Sequence, residues 1–159
     1  MRTLVIGAGK QRIAGAVHHD IVPLPGIDVV HNLEVTPWPW LDASFDYVLA
    51  SHVMEHVHKV FEAMDEIWRI LAIGGVVEVR VPHYKSENAF TDPTHVHFFT
   101  PKTLDYCVAS TPLGSYLSYY TKHKYDRIKV EEYDPGTGLN LRFLLWKLHQ
   151  PQPIQRFDG

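Results

Sequence analysis

Residues 45–75 decide the fold and read FDYVLASHVMEHVHKVFEAMDEIWRILAIGG. They open with a short apolar run, YVLA, which is typical of a buried strand. Across residues 53–71 the apolar side chains recur at gaps of three and four, which indicates a helix with one buried face, capped at its start by Ser51. The glycines at 74–75 are expected to end this helix, and the run VVEVRVP at 76–82 predicts a second strand. A strand, a helix and a strand in this order predict a parallel sheet.

Further strands are predicted on both sides of this unit by short runs of apolar and β-branched residues. They lie at residues 3–6, 16–20, 27–31, 126–133 and 140–148. The last two runs flank a turn cluster, DPGTG, and should therefore pair with each other antiparallel.

The connections between the first three predicted strands contain only nine and six residues. A helical crossover needs about a dozen residues, so we expect one face of the sheet to lack helices. An uncovered face of a parallel sheet is costly, and something must lie against it. The tyrosine-rich segment at residues 114–125 or a second subunit can do so, and we predict a homodimer.

Composition narrows the classes of function. The 159 residues are 45% hydrophobic and 21% charged, which fits one globular domain spanning residues 1–159. The formal net charge is −3 with no run of Lys or Arg, which argues against nucleic acid as a partner. The single cysteine, Cys107, fits a reducing compartment. No apolar run reaches membrane-spanning length and no signal peptide is visible, so we expect a cytoplasmic protein that makes no membrane contact.

Chemistry-bearing residues follow three of the predicted strands. Gly7-x-Gly9 ends the first strand, Asp20 the second and Asn32 the third. In open α/β sheets, ligands bind at the carboxyl ends of the strands. A dinucleotide site fits poorly because Arg12 stands where a third glycine is needed, and the chain contains no phosphate-binding loop with a G-K-S/T triplet. The glycines can also be explained as a plain turn. Asp20 suits the two hydroxyls of a ribose, and the amide of Asn32 suits the edge of an adenine.

Four segments together resemble the class I S-adenosylmethionine-dependent methyltransferases, and in particular their small methyltransferase-domain branch. The segments are LVIGAGKQRIAGAVHHDI at residues 4–21, VVHNLEVTPWPWLDASFDYVLASHVMEHV at 29–57, RILAIGGVVEVRVPHY at 69–84 and AFTDPTHVHFFT at 89–100. The resemblance covers about two thirds of the chain. It implies an α/β fold with a Rossmann-like sheet that is mostly parallel, ends in an antiparallel hairpin and lacks the family's N-terminal helices.

The resemblance also implies S-adenosylmethionine as the cofactor and assigns residues to its parts. Those expected to bind it are Gly7, Ala8 and Gly9 at the methionine part, Asp20 at the ribose, Asn32 and Leu33 at the adenine, and Ser51 and His52 near the methyl group. Asn32 departs from the family pattern, which usually has Asp at this position.

We expect the acceptor to be a hydroxyl group on a small molecule or a sugar. An oxygen acceptor must lose its proton, and histidine suits that task because its ordinary pKa is close to neutrality. His95 is the first candidate for this base and His52 the second, with Asp92 as an orienting carboxylate. An alternative for His52 is a structural pairing with Glu55 at the start of the helix. The alternative function is a catalytically inactive methyltransferase-like accessory or cofactor-binding subunit.

Two further interpretations concern the region around the acceptor. One interpretation is a metal site formed by His83, Asp92, His95 and His97. Their spacing is not a specific zinc pattern, and we expect no metal. Aromatic residues near this loop and near the Pro-rich stretch either form a wall of the acceptor pocket or seal the edge of the core. They are Trp38, Trp40, Phe90, Phe98 and Phe99.

Overall fold

A computed structural model describes residues 1–147 of the chain. Leu148, the last residue of the final predicted strand, lies outside the described residues. Within them, no helix is long and apolar enough to cross a membrane.

In the described part of the chain, seven strands form one sheet in the order β3-β2-β1-β4-β5-β7-β6. Their bounds are β1 Thr3–Ile6, β2 Ala16–Asp20, β3 Val29–Val30, β4 Phe45–Ser51, β5 Leu71–Pro82, β6 Tyr125–Tyr133 and β7 Asn140–Lys147. The first five strands are parallel, and β7 runs antiparallel to both β5 and β6. This order confirms the predicted fold class. Among residues 1–147, three α-helices accompany the sheet: α1 Val60–Ile70, α2 Asn88–Thr91 and α3 Pro112–Tyr116.

The helix after β4 begins later than its apolar pattern predicts. Residues Met54–His56 form a single 3-10 turn, Val57 is extended, and α1 starts only at Val60. Ser51 belongs to β4 and does not cap the 3-10 turn, so the prediction of one continuous helix across residues 53–71 is wrong. The reason lies in the backbone of Glu55, because its carbonyl accepts hydrogen bonds from the amides of residues 96 and 97 at 2.8 and 3.2 Å. That carbonyl is therefore not used for the helical bond to residue 59.

The two glycines after α1 do not end the helix. The helix ends at Ile70, and Leu71 is already paired with Phe45 in the sheet. The next pair is Tyr47 with Val76, so five positions of β5 span two of β4. The glycines at 74–75 lie in this bulge, which explains why they carry a turn signal inside a strand.

The two faces of the sheet are covered unequally. The main core lies on the face packed by α1, and the tyrosine-rich segment joins this same face, where Tyr120 lies 5.4 Å from the ring of Phe61. The opposite face holds a small apolar cluster around Val5, Ala8 and Leu49. No helix of residues 1–147 lies in the short connections that follow β1 and β2, as the sequence predicts. The tyrosine-rich segment therefore does not cover the opposite face, which we call the helix-free face.

Candidate active site

A cavity of about 530 Å³ lies where β1, β2 and β4 end. Six of the residues expected to bind the cofactor line it: Gly7, Gly9, Asp20, Asn32, Leu33 and His52. Its size lies within the roughly 300–1,000 Å³ range of small-molecule sites. The sheet topology thus brings together side chains that are up to 45 positions apart in the sequence.

The glycines give this cavity a bare wall. Gly7 and Gly9 have φ angles of +60° and +52°, which L side chains rarely adopt. A Cβ atom on Gly7 would lie 2.5 Å from Cγ2 of Val53, whereas one on Gly9 would meet nothing within 4 Å. Gly7 therefore permits the chain after β4 to pack closely, and Gly9 leaves open space beside the cavity.

Asp20 is held firmly at the cavity wall. The backbone amide of Gly9 donates to its Oδ2 at 2.7 Å, and the amide of Val22 donates to its Oδ1 at 3.0 Å. Each carboxylate oxygen keeps a further lone pair. The arrangement can accept hydrogen bonds from two neighbouring hydroxyl groups without moving.

Asn32 and Leu33 form the far side of the cavity. The Oδ1 of Asn32 accepts from the amide of Glu34 at 3.0 Å, which leaves its NH₂ group available to a ligand. The carbonyl of Leu33 accepts from the indole of Trp38 at 3.0 Å. Trp38 is only 2% exposed, so it closes the edge of the core and does not line a pocket for the acceptor.

Two of the expected residues lie elsewhere. Ala8 is 4% exposed and packs in the small cluster on the opposite face with Val5 and Leu49. Ser51 closes β4 but does not line the cavity. His19, by contrast, lines it without having been singled out from the sequence. Burial lowers the pKa of His19, whose Nε2 lies 2.8 Å from the carbonyl oxygen of His31. Adjacent histidines within a strand gave no signal of this placement.

Histidines and acids form a second group at the mouth of the cavity. One ligand-type atom each from Glu55, His56 and His95 lies within 4.8 Å of the others. His52 joins them, with its Nδ1 3.3 Å from a carboxylate oxygen of Glu55. We define these four residues as the histidine cluster. His52 and His56 line the cavity, while His95 does not.

The residues weighed as metal ligands from the sequence do not converge. The Nδ1 of His83 accepts from the amide of Lys85 at 3.0 Å, and the Nε2 of His97 lies 3.0 Å from the carbonyl oxygen of His58. Asp92 accepts from the hydroxyl of Thr94 at 2.7 Å. Hydrogen bonds from Thr94 lower the pKa of Asp92.

A second cavity, of about 680 Å³, adjoins the first at His58. Phe98 and Phe99 line it, together with Phe61 and Tyr106. Its aromatic wall is suited to stacking against a ring or an apolar face of a ligand. Among the aromatic residues proposed for an acceptor pocket, only the pair at 98–99 lies here, while Trp40 packs edge-on to Trp38 at 6.1 Å.

Comparison with known proteins identifies the family. Residues 6–79 match the family model described as a methyltransferase domain, and this range holds all the expected cofactor residues. Residues 6–79 carry a methyltransferase domain. The expected family, the methyltransferase activity and S-adenosylmethionine as cofactor are confirmed at this general level.

Solved structures share the fold at low sequence identity. A methyltransferase from Archaeoglobus fulgidus is 17% identical with a TM-score of 0.65, over 92% of this chain and 86% of that one. The 1,6-didemethyltoxoflavin-N1-methyltransferase of Burkholderia thailandensis, with bound S-adenosylhomocysteine, is 16% identical with a TM-score of 0.63, over 92% and 71%. A methyltransferase in complex with the Trm112 activator of Haloferax volcanii is 11% identical with a TM-score of 0.61, over 93% and 83%. No curated protein matches the sequence significantly.

Proposed function

We propose that the protein transfers a methyl group from S-adenosylmethionine to a hydroxyl group of a small molecule or a sugar. The observation that carries this proposal is the position of His52 in the wall of the same cavity as Gly9 and Asp20. A proton acceptor thus adjoins the site expected for the methyl donor. The comparisons give no support to the alternative of an inactive accessory subunit.

The cavity fits the cofactor in three respects. Its volume is sufficient, the bare wall at Gly9 admits a close approach, and the fixed carboxylate of Asp20 offers two acceptors to a ribose. Asn32 and Leu33 would hold the adenine. When bound, S-adenosylmethionine supplies an electrophilic methyl group on a positively charged sulfur.

We propose that His52 takes the proton of the acceptor hydroxyl. Its side chain is 48% exposed and lines the cavity, which leaves it free to meet an incoming acceptor. His95, the first candidate from the sequence, instead lies beside His56, with the two ring centroids 4.7 Å apart. Asp92 reaches the cluster through Thr94, whose hydroxyl oxygen is 3.0 Å from Nδ1 of His56. Both His95 and Asp92 are therefore proposed to position the cluster. The aromatic cavity beyond His58 would receive the body of the acceptor.

Substitutions at Asp20 and His52 should separate cofactor binding from chemistry. Asp20→Ala is expected to weaken binding of S-adenosylhomocysteine about tenfold, or about 1.4 kcal/mol, because the ribose loses both acceptors. His52→Ala is expected to keep most of that affinity but to lower turnover by about 10²-fold or more. Calorimetric titration measures the first effect, and a panel of sugars, phenols and amines measures the second.

Asp28→Ala is the matched control. The carboxylate of Asp28 also accepts a hydrogen bond from a backbone amide, that of His18 at 2.7 Å, but Asp28 lies outside the cavity. Equal affinity in the Asp20 variant and the control would refute the ribose contact. If a well-folded protein methylates nothing in the panel, the proposed activity is wrong.

We also propose that a second copy of the chain covers the helix-free face. Trp146, 41% exposed, and the half-buried Tyr47 lie there beside charges of both signs, Arg142 and Glu131. A two-fold interface requires such a self-complementary surface. Light scattering at micromolar concentration should give twice the chain mass of 18.3 kDa. Trp146→Glu should reduce this to one chain mass, and a monomeric wild type would overturn the proposal.

A further inference from the structure

We infer that Glu55, His56 and His95 bind a divalent metal ion at the mouth of the cofactor cavity. Of these three residues, only His95 belongs to the set that the sequence suggested as possible metal ligands. The structure brings them together because the loop after α2 returns to the turn after β4, where its amides bond to the carbonyl of Glu55. One ligand-type atom from each lies within 4.8 Å of the other two.

Glu55 supplies the first argument, because its carboxylate is buried without donors. The side chain is 2% exposed, and neither carboxylate oxygen has a hydrogen-bond partner among residues 1–147. The Nδ1 of His52 lies 3.3 Å from one of these oxygens but forms no hydrogen bond with it. Burying an ionised carboxylate in this way costs several kcal/mol unless a cation is present. A metal ion at this point would remove that cost.

His95 and His56 supply the second argument, because their hydrogen bonds fix the tautomers. The Nδ1 of His95 lies 2.9 Å from the carbonyl oxygen of Ala89, which can only accept, so Nδ1 carries the hydrogen. The single hydroxyl hydrogen of Thr94 goes to Asp92, so its oxygen accepts from Nδ1 of His56. In both rings Nε2 is left with a free lone pair.

Such bonds from the second ring nitrogen are the usual support of histidines that bind metals. Metal–ligand bonds to nitrogen and carboxylate oxygen are about 2.0–2.2 Å long, so the three ligand atoms would lie closer together around an ion than the 4.8 Å that now bounds their separations. Two imidazoles and one carboxylate suit Zn²⁺, Fe²⁺ or Co²⁺ and leave coordination positions open.

An ion bound here would adjoin the cavity, because His56 is both a proposed ligand and part of the cavity wall. This part of the inference rests on the proposed function: an acceptor oxygen bound to the ion would be held beside His52 and its proton made more acidic. His52 would then receive that proton. The metal site itself does not depend on this role.

Titration of chelator-treated protein with Co²⁺ and with Zn²⁺, without cofactor or acceptor, tests the site. We expect one ion per chain, a visible Co²⁺ spectrum typical of nitrogen ligands and a rise in Tm with metal. Glu55→Gln and His95→Ala should each weaken binding at least tenfold and remove the rise in Tm. The glutamine variant should still fold, since it removes a buried charge that lacks hydrogen-bond donors.

His97→Ala and His58→Ala are the controls for adventitious binding by the other histidines, and both should bind metal as the wild type does. Equal weakening in these controls, or unchanged affinity in the glutamine variant, would overturn the metal site. A separate titration with S-adenosylhomocysteine keeps the two proposals apart. Metal binding without cofactor binding would leave the site standing and the proposed function refuted, and the reverse result would do the opposite.

Discussion

Replacing Glu78 with glutamine is expected to cost about 3 kcal/mol of folding free energy, which corresponds to a fall in Tm of roughly 10 °C. Glu78 lies in the middle of β5 on the helix-free face, yet its side chain is only 3% exposed. Arg142 donates to both of its oxygens, at 2.7 and 3.1 Å, and Arg80 and Tyr47 donate at 2.6 and 2.5 Å. Glutamine has about the same volume but cannot accept four such bonds with a full charge.

The pH dependence of stability should also reveal the contribution of Glu78. Burial by itself would raise the pKa of Glu78, but hydrogen bonds from Arg142, Tyr47 and Arg80 lower it to about 2, against an ordinary value of 4.5. Because the folded-state pKa is the lower one, the stabilisation is fully present above pH 4.5 and is lost as the pH falls towards 2. The pKa difference corresponds to about 3 kcal/mol.

Urea denaturation at several pH values measures this effect. The gap in unfolding free energy between the wild type and Glu78→Gln should be widest above pH 5 and should narrow down to pH 2. Glu131→Gln is the control: Glu131 accepts a hydrogen bond from the same Arg142 at 3.2 Å but is 27% exposed, so we expect a much smaller loss. Similar losses of stability in the two variants would show that the burial of Glu78 does not strengthen its hydrogen bonds.

The sheet and the cofactor cavity are predictable from the sequence because both depend on local patterns. Alternating or continuous apolar runs mark the strands, and the carboxyl ends of parallel strands meet at one edge. Gly7 follows β1, Asp20 ends β2 and Asn32 lies two residues after β3, so knowing the order of strands is enough to bring them together.

The histidine cluster is not predictable in this way, because it depends on contacts between distant segments. Glu55 and His95 are 40 positions apart, and they meet only because the loop bonds to the carbonyl of Glu55. The same contact prevents residues 54–57 from joining the α-helix that their apolar spacing predicts. Periodicity records which side chains are buried, but not which backbone groups a remote loop will use.

Gly7→Ala is expected to lower the unfolding free energy by roughly 2–5 kcal/mol and to abolish measurable binding of S-adenosylhomocysteine. The left-handed φ angle of +60° costs an alanine about 1–2 kcal/mol, and overpacking against Val53 adds about 1–3 kcal/mol. The contact cannot be relieved by a flexible chain end, since the new methyl would also lie 2.6 Å from Cβ of Val53. Any shift of that residue moves the chain next to His52, and with it the wall of the cavity.

Gly9→Ala separates the two effects, because Gly9 shares the left-handed backbone but not the crowding. With φ at +52° and nothing within 4 Å of the added methyl, its loss of stability should stay near 1–2 kcal/mol. The methyl would nevertheless stand in open space at the cavity wall, so binding should weaken strongly in this variant as well. Chemical denaturation and calorimetric titration of both variants therefore give four values. Equal losses of stability would show that Val53 yields to the methyl on Gly7, and wild-type affinity in Gly9→Ala would show that no ligand approaches this wall closely.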